Sequence, residues 1–291
     1  MVTIDLITGF LGSGKTTFLK KYAEYLMDQG LHIGILENDF GAINVDMLML
    51  HELRGDQCEL EMIAGGCDAE SHRRRFRTKL ISMRMCGYDR VLVEPSGIYD
   101  VDEFFDVLRE EPLDQWYEIG NVIAILDARL ENNLSQQADY LLASEAANAG
   151  KVILSNADAA TREQCEDTVA HLNRALEQIR CDRRIDTKKD ILQKNLTDLT
   201  KEDLEEVSQC GYCLESYRKM DLENGQSFDS LFFMEEKIKP EALERAVPRL
   251  FADKSCGEVF RIKGFVKNGA GQWMELNATP DSHTMQSVAV G

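Results

Sequence analysis

Residues 9–16 read Gly9-Phe10-Leu11-Gly12-Ser13-Gly14-Lys15-Thr16. Glycines at the first and sixth positions, followed by lysine and a hydroxyl, suit an anion. The glycines let backbone N–H groups turn inward, a lysine reaches the outer oxygens of a polyphosphate, and the hydroxyl completes a Mg²⁺ shell. Gly12, Ser13, Gly14, Lys15, Thr16 and Thr17 are the candidate phosphate contacts, with Lys15 as a catalytic cation and Thr16 as a Mg²⁺ ligand. The chemistry requires a strand before the loop and a helix after it. Both are legible. Residues 2–7 (VTIDLI) are apolar and β-branched, and Phe18, Leu19, Tyr22, Tyr25 and Leu26 recur at helical spacing.

A phosphate loop does not choose a base. The base-reading loop belongs after a later strand, and Ser155-Asn156-Ala157-Asp158 directly follows KVIL. Asp158 offers two acceptor oxygens to the N1 and N2 donors of guanine, which adenine lacks. Asn156 stands beside it as a second nucleotide contact. The alternative is that Asp158 caps the next helix.

The elements that must hold these residues alternate. HIGILE (32–37), YDRVLVEP (88–95), NVIAILDA (121–128) and KVILSNAD (151–158) are apolar runs separated by helix-length segments, which predicts an α/β fold with a mostly parallel sheet covered on both faces. A helix over about 162–179 closes the first domain, taken as 1–185. A polar stretch over 186–227 is expected as a helical linker. Residues 228–291 read as a small α+β domain with an antiparallel sheet: a strand (FDSLFFM), a helix (PEALERAVPRLF) and the strands GEVFRIKGFVK, QWMELNA and QSVAV. Gly291 falls in mid-strand, so a longer native chain is expected.

The 291 residues carry 33 lysines and arginines against 51 aspartates and glutamates, a formal charge of −18. Such a surface repels a nucleic-acid backbone, so no nucleic-acid partner is expected. No stretch approaches the roughly 18 apolar residues of a spanning helix, and no basic region precedes the N-terminal apolar run. No membrane partner is expected, and a cytoplasmic location with reduced thiols is.

The motifs together resemble the CobW-like GTPases, related to the urease and hydrogenase maturation GTPases UreG and HypB. The likeness rests on TGFLGSGKTT (8–17), ENDFGAINVD (37–46), VLVEPSG (91–97), VIAILDA (122–128), the SNAD loop and VFRIKGF (259–265), in family order over nearly the whole chain. It implies a GTP-hydrolysing protein that uses Mg²⁺ and delivers a metal or metallocofactor to a client metalloenzyme or cofactor protein. It also implies that ENDFG acts as a first switch, with Asp39 a catalytic candidate. Glu94 would be the acid that holds Mg²⁺ through water, and the Gly97 N–H would sense the γ-phosphate.

The chain departs from that pattern twice. The family's Gly-Cys-x-Cys-Cys metal motif aligns with Gly66-Cys67-Asp68-Ala69-Glu70, leaving one cysteine of three. Cys67, Asp68, Glu70 and Glu37, with His72, would form a harder S/O site suited to Zn²⁺, Co²⁺ or Mn²⁺; the alternative is a relic with Cys67 buried. Ser155 and Asn156 stand where the family has Asn and Lys, which weakens base contacts. A nucleotide-gated chaperone for a cofactor-dependent enzyme such as a corrinoid protein, with no transition-metal site of its own, is the competing reading. A small-molecule kinase is disfavoured because no arginine-rich lid is visible.

Three weaker signals are read as structural. Cys210-Gly-Tyr-Cys213 lacks a second ligand pair, Arg73, Arg74, Arg75 and Arg77 fit a solvated helix face, and Phe260, Phe265 and Trp273 fit a core at strand spacing.

Overall fold

A computed structural model describes residues 1–39, 49–64, 69–95, 101–130, 134–220, 237–257, 259, 261–280 and 282–287. The chain divides into two units, Met1–Asp229 and Ser230–Gly291. In the first, the described strands are β1 (Val2–Thr8), β2 (Ile33–Asp39), β3 (Cys58–Ala64), β4 (Arg90–Pro95), β5 (Tyr117–Asp127), β6 (Lys151–Ser155) and β7 (Ile191–Gln193). They form one sheet in the order β3-β2-β4-β1-β5-β6-β7, every pair parallel. The helices are α1 (Lys15–Asp28), α2 (Ala69–Arg84), α3 (Val101–Leu108), α4 (Leu113–Trp116), α5 (Gln136–Ala147), α6 (Arg162–Gln178) and α7 (Lys201–Ser208).

The helical spacing of α1 sets one half of the core. Phe18, Leu19, Tyr22, Ala23 and Leu26 are buried with Ile7, Ile33, Ile35, Leu92, Ile123, Ile125 and Ile153 of the sheet. Each large aliphatic side chain so buried contributes roughly 1.5–3 kcal/mol. The same cluster takes in Leu196, Leu199, Leu204 and Val207. Residues 186–227 are thus more than a connector among those described. β7 extends the sheet beside β6, and α7 starts at a Thr200–Asp203 capping box and lays Leu204 and Val207 under α1. Four well-spaced apolar side chains anchor a stretch whose average composition is polar.

A buried polar group links these parts. Asp5 lies in mid-β1 with no exposure. Its carboxylate accepts from the Tyr22 hydroxyl at 2.8 Å and the Asn121 backbone N–H at 2.8 Å, with Arg90 Nη1 at 3.5 Å. Asn121 Nδ2 donates to Ser208 O at 2.9 Å, and its Oδ1 accepts from the Gly211 N–H at 2.8 Å. Burial raises the Asp5 pKa above the ordinary carboxylate value, and Arg90 and the donors oppose that shift.

The second unit contains α8 (Pro240–Ala252) and an antiparallel sheet of β8 (Ile262–Lys267), β9 (Trp273–Thr279) and β10 (Ser282–Ser287), in the order β10-β9-β8. Val247 of α8 packs with Leu276 and Ala278, flanked by Leu243, Phe251, Ile262 and Met285. Trp273 lies 4.6 Å from the Lys267 ammonium. Phe260 and the expected strand at 228–234 lie outside the described residues.

Tyr22→Phe removes one donor from a fully buried carboxylate while keeping the ring in the core. The first unit should lose roughly 1–2 kcal/mol of stability, read as a lower urea midpoint.

Candidate nucleotide-binding site

The loop between β1 and α1 stands at the C-terminal edge of the parallel sheet, where ligands of open α/β folds bind. Gly9 has φ 141°, and a Cβ there would lie 2.1 Å from the Ile125 carbonyl oxygen of β5. Gly14, at φ 98°, is the residue from which α1 starts. Lys15 is buried, and its Nζ donates to Gly9 O at 2.8 Å. The ammonium is folded back onto the carbonyls of its own loop. Ser13 is buried too, and its Oγ has no hydrogen-bond partner among the described residues. Thr17 is exposed on the first turn.

The register of β2 against β4 builds the acidic side. Ile33 pairs with Arg90, Ile35 with Leu92, and Glu37 with Glu94. Alternation keeps this series on one face of the sheet, the face that packs on α1, and its last row changes from apolar to acidic. Glu37 and Glu94 are 3% and 5% exposed. Thr16 Oγ1 donates to Glu94 Oε1 at 2.9 Å, so the hydroxyl and carboxylate expected to serve one cation are already together.

At the next strand ends, Asp127 and Ser155 are in register. Asn156 takes φ 54°, a left-handed conformation that asparagine tolerates. Its Nδ2 donates to Asp127 Oδ2 at 2.7 Å, and Arg129 Nη2 reaches the same oxygen at 3.2 Å. The Ser155 hydroxyl donates to Leu126 O. Asp158 is exposed in the following turn. The cap of α6 is Thr161, whose Oγ1 accepts from the Gln164 N–H while Gln164 Oε1 accepts from the Thr161 N–H. Asp158 is therefore not the capping residue. The sequence reading does not single out Asp127 and Arg129, although Asp127 closes the apolar strand β5 and Arg129 lies two residues beyond it.

The remaining expected metal ligands are less gathered. Glu70 is exposed on α2 and pairs with Arg74 at 3.1 Å. His72 is fully buried with Nδ1 3.1 Å from Glu103 Oε1 on α3. Cys67, Asp68 and Gly97 lie outside the described residues, as does the Asp39 side chain, although Asp39 pairs through its backbone with Ala64. Among the described residues, no group of three or more His, Cys, Asp or Glu side chains is arranged to hold a metal ion.

The weaker signals resolve into packing. Arg73 and Arg77 both contact Glu110, at 2.7 and 3.0 Å, and Arg77 also donates to Glu111 O. Cys210 has its thiol pushed up to about 12 by burial and then by Asp5, and Cys213 N–H donates to Asn148 O.

The family model for the nucleotide-binding domain of CobW/HypB/UreG matches residues 3–186, from the first strand through the loop after α6. The chain belongs to the CobW/HypB/UreG family. Among curated relatives, the zinc chaperone YjiA of Escherichia coli K12 is 29% identical over 186 residues, covering 59% of this chain and 55% of that protein. The zinc chaperone YeiR of the same organism is 28% identical over 164 residues, covering 56% and 49%. The chain thus spans about half the length of these curated relatives in the matched region. A solved structure of Zn(II)-bound YjiA GTPase from E. coli aligns over 99% of this chain and 89% of that one, at 20% identity and a TM-score of 0.43. The family's nucleotide-binding domain coincides with the part of the chain that holds the glycine loop, Glu37, Glu94 and the 155–158 loop.

Gly9→Ala combines a positive φ with a backbone collision that no side-chain motion relieves. It should lower stability by roughly 1–3 kcal/mol and abolish nucleotide binding, measured by urea denaturation and nucleotide titration of the folded variant.

Proposed function

We propose that this protein binds and hydrolyses GTP with Mg²⁺ and couples the nucleotide state to handling of a transition-metal ion, as a metallochaperone. The observation that carries the reading is the 2.9 Å hydrogen bond from Thr16 to Glu94 at the foot of the glycine loop, with Glu37 in register beside Glu94. Two oxygen donors and an adjacent carboxylate are a hard set that fits Mg²⁺. Curated relatives that are zinc chaperones support the metal half of the reading.

In this reading the loop N–H groups and the N-terminus of α1 bind the β- and γ-phosphates, and Lys15 exchanges Gly9 O for phosphate oxygen. Thr16 and Glu94 would hold Mg²⁺, Glu94 through water, and the ion would supply charge neutralisation at the transferred phosphoryl group. Asp39 is placed in the switch as the residue that orients the attacking water, and the Gly97 N–H as the γ-phosphate sensor. Asp158 reads the guanine N1 and N2 donors, and Asn156 holds the loop's shape through Asp127. The metal ion is cargo: Glu37 and Cys67, with Glu70, are its proposed ligands, and the sets meet at the Glu37–Glu94 row. Zn²⁺ or Co²⁺ suits one thiolate among carboxylates. A client metalloenzyme or cofactor protein receives it. The nucleotide-gated chaperone without a transition-metal site is the reading to which the single cysteine of the 66–70 motif points.

Calorimetric titration with GTP, GDP and ATP in Mg²⁺ tests the base assignment. GTP should bind more tightly than ATP, and Asp158→Ala should erase the difference; equal affinities in the unmutated protein refute it. For the cargo site, Zn²⁺ titration of wild type and Cys67→Ser, each with GDP and with a non-hydrolysable GTP analogue, should give curves that shift with nucleotide only in the wild type. Metal and nucleotide then change each other's affinity by the same factor. Four superimposable curves would leave the chaperone without a metal site as the surviving reading.

A further inference from the structure

The phosphate loop and the base loop follow strands that are not neighbours. The first leaves β1, the second leaves β6, and β5 lies between them in the sheet. Adjacent strands are about 4.8 Å apart, so a nucleoside joining the two loops spans roughly 10 Å across the end of β5. The residues at that end are Asp127, Ala128 and Arg129. Gly9 lies against Ile125, two residues before Asp127. The Ala128 N–H donates to Ser155 O at 2.9 Å, and Ala128 O accepts from the buried Thr168 hydroxyl of α6 at 3.0 Å, which fixes the turn from behind. The Arg129 guanidinium is held at two points, Nε 3.3 Å from Asp127 Oδ1 and Nη2 3.2 Å from Oδ2, and the Arg129 backbone N–H donates to Oδ1 at 2.8 Å. Asn156 Nδ2 donates to the same Oδ2 at 2.7 Å, so the arginine and the base loop are fastened to one carboxylate. The Arg129 side chain is 19% exposed.

We propose that Arg129 is the stacking platform for the face of the purine, with Asp127 and Asn156 as the residues that position it. This rests on the reading of the 9–16 and 155–158 loops as the two ends of a guanine-nucleotide site. Asp127 cancels the charge of the arginine, so the pair is poorly suited to clamp a phosphate, and Lys15 already stands at that end. What the pairing does provide is a guanidinium plane held in one orientation, and a fixed plane of this kind stacks on an aromatic ring. The resembled family carries a lysine where Asn156 stands; Arg129 returns a cation to the same loop from the neighbouring strand. A face contact tolerates any base, because every base has a π-face. Asp158 and Arg129 therefore divide the work: the carboxylate chooses between guanine and adenine at the ring edge, and the guanidinium adds affinity for both.

The test is calorimetric titration of the full chain with GDP, ADP and inorganic pyrophosphate, each with Mg²⁺, for wild type, Arg129→Ala and Arg129→Lys, with folding checked by circular dichroism. Arg129→Ala should weaken GDP and ADP by a common factor of roughly three to thirty, the range of a cation stacked on an aromatic ring, and leave pyrophosphate unchanged. Arg129→Lys keeps the charge without the plane and should fall with the alanine variant on both nucleotides; it also decides the matter if Arg129→Ala fails to fold. Undiminished GDP affinity in Arg129→Ala overturns the proposal, as does wild-type affinity in Arg129→Lys. An equal loss for pyrophosphate would make Arg129 a support of the phosphate loop, and a changed GDP-to-ADP ratio would make it an edge reader; either result also overturns the platform. Equal binding of GDP and ADP by wild type refutes the reading of Asp158 and leaves the platform standing, whereas no binding of GDP or pyrophosphate by wild type overturns the nucleotide site and this inference together.

Discussion

The approach of Gly9 to the Ile125 carbonyl decides where the phosphate loop stands. With no room for even a Cβ between them, the chain leaving β1 must turn across the end of β5 before α1 begins. That turn aims the helix N-terminus outward over the sheet edge and puts Thr16 above β4. Because β4 lies on the other side of β1 from β5, the hydroxyl meets Glu94, and the parallel register carries the same row on to Glu37. One glycine contact on the left of β1 thus fixes an acidic row on its right.

Acid groups in the interior of this unit are kept in three different ways. Asp5 is surrounded by donors and by Arg90. Glu94 receives the Thr16 hydroxyl at the end of β4. Glu145 receives neither: among the described residues its carboxyl oxygens have no hydrogen-bond partner, and burial pushes its pKa up to about 8.

Much of this was legible because strand ends and helix starts carry strong local signals. The glycine loop lies between β1 and α1 as its spacing requires, and Glu37, Glu94 and Asp158 all close apolar runs. β3 was not legible: Glu59 and Glu61 interrupt CELEMIA, as suits an edge strand open to water, and the apolar run is broken. β7 has three residues, too few for a period. The role of 186–208 was masked by polar composition, since its few buried leucines act singly. Asp5 and Glu145 were invisible for another reason. Each lies inside an ordinary apolar pattern, and only the fold brings Tyr22 and Asn121 to Asp5 and closes the interior around Glu145. Arg73 and Arg77 likewise read as a solvated surface until Glu110 is seen between them.

The capping of α6 by Thr161 and Gln164 separates two tasks that a sequence motif runs together. Since the helix start is secured at Thr161, Asp158 is not needed as its cap. The exposed side chain at 158 can be exchanged with little effect on folding. On the proposed reading of Asp158, base preference is therefore adjustable almost independently of stability, whereas the glycine loop, set against Ile125, is tied to the fold itself.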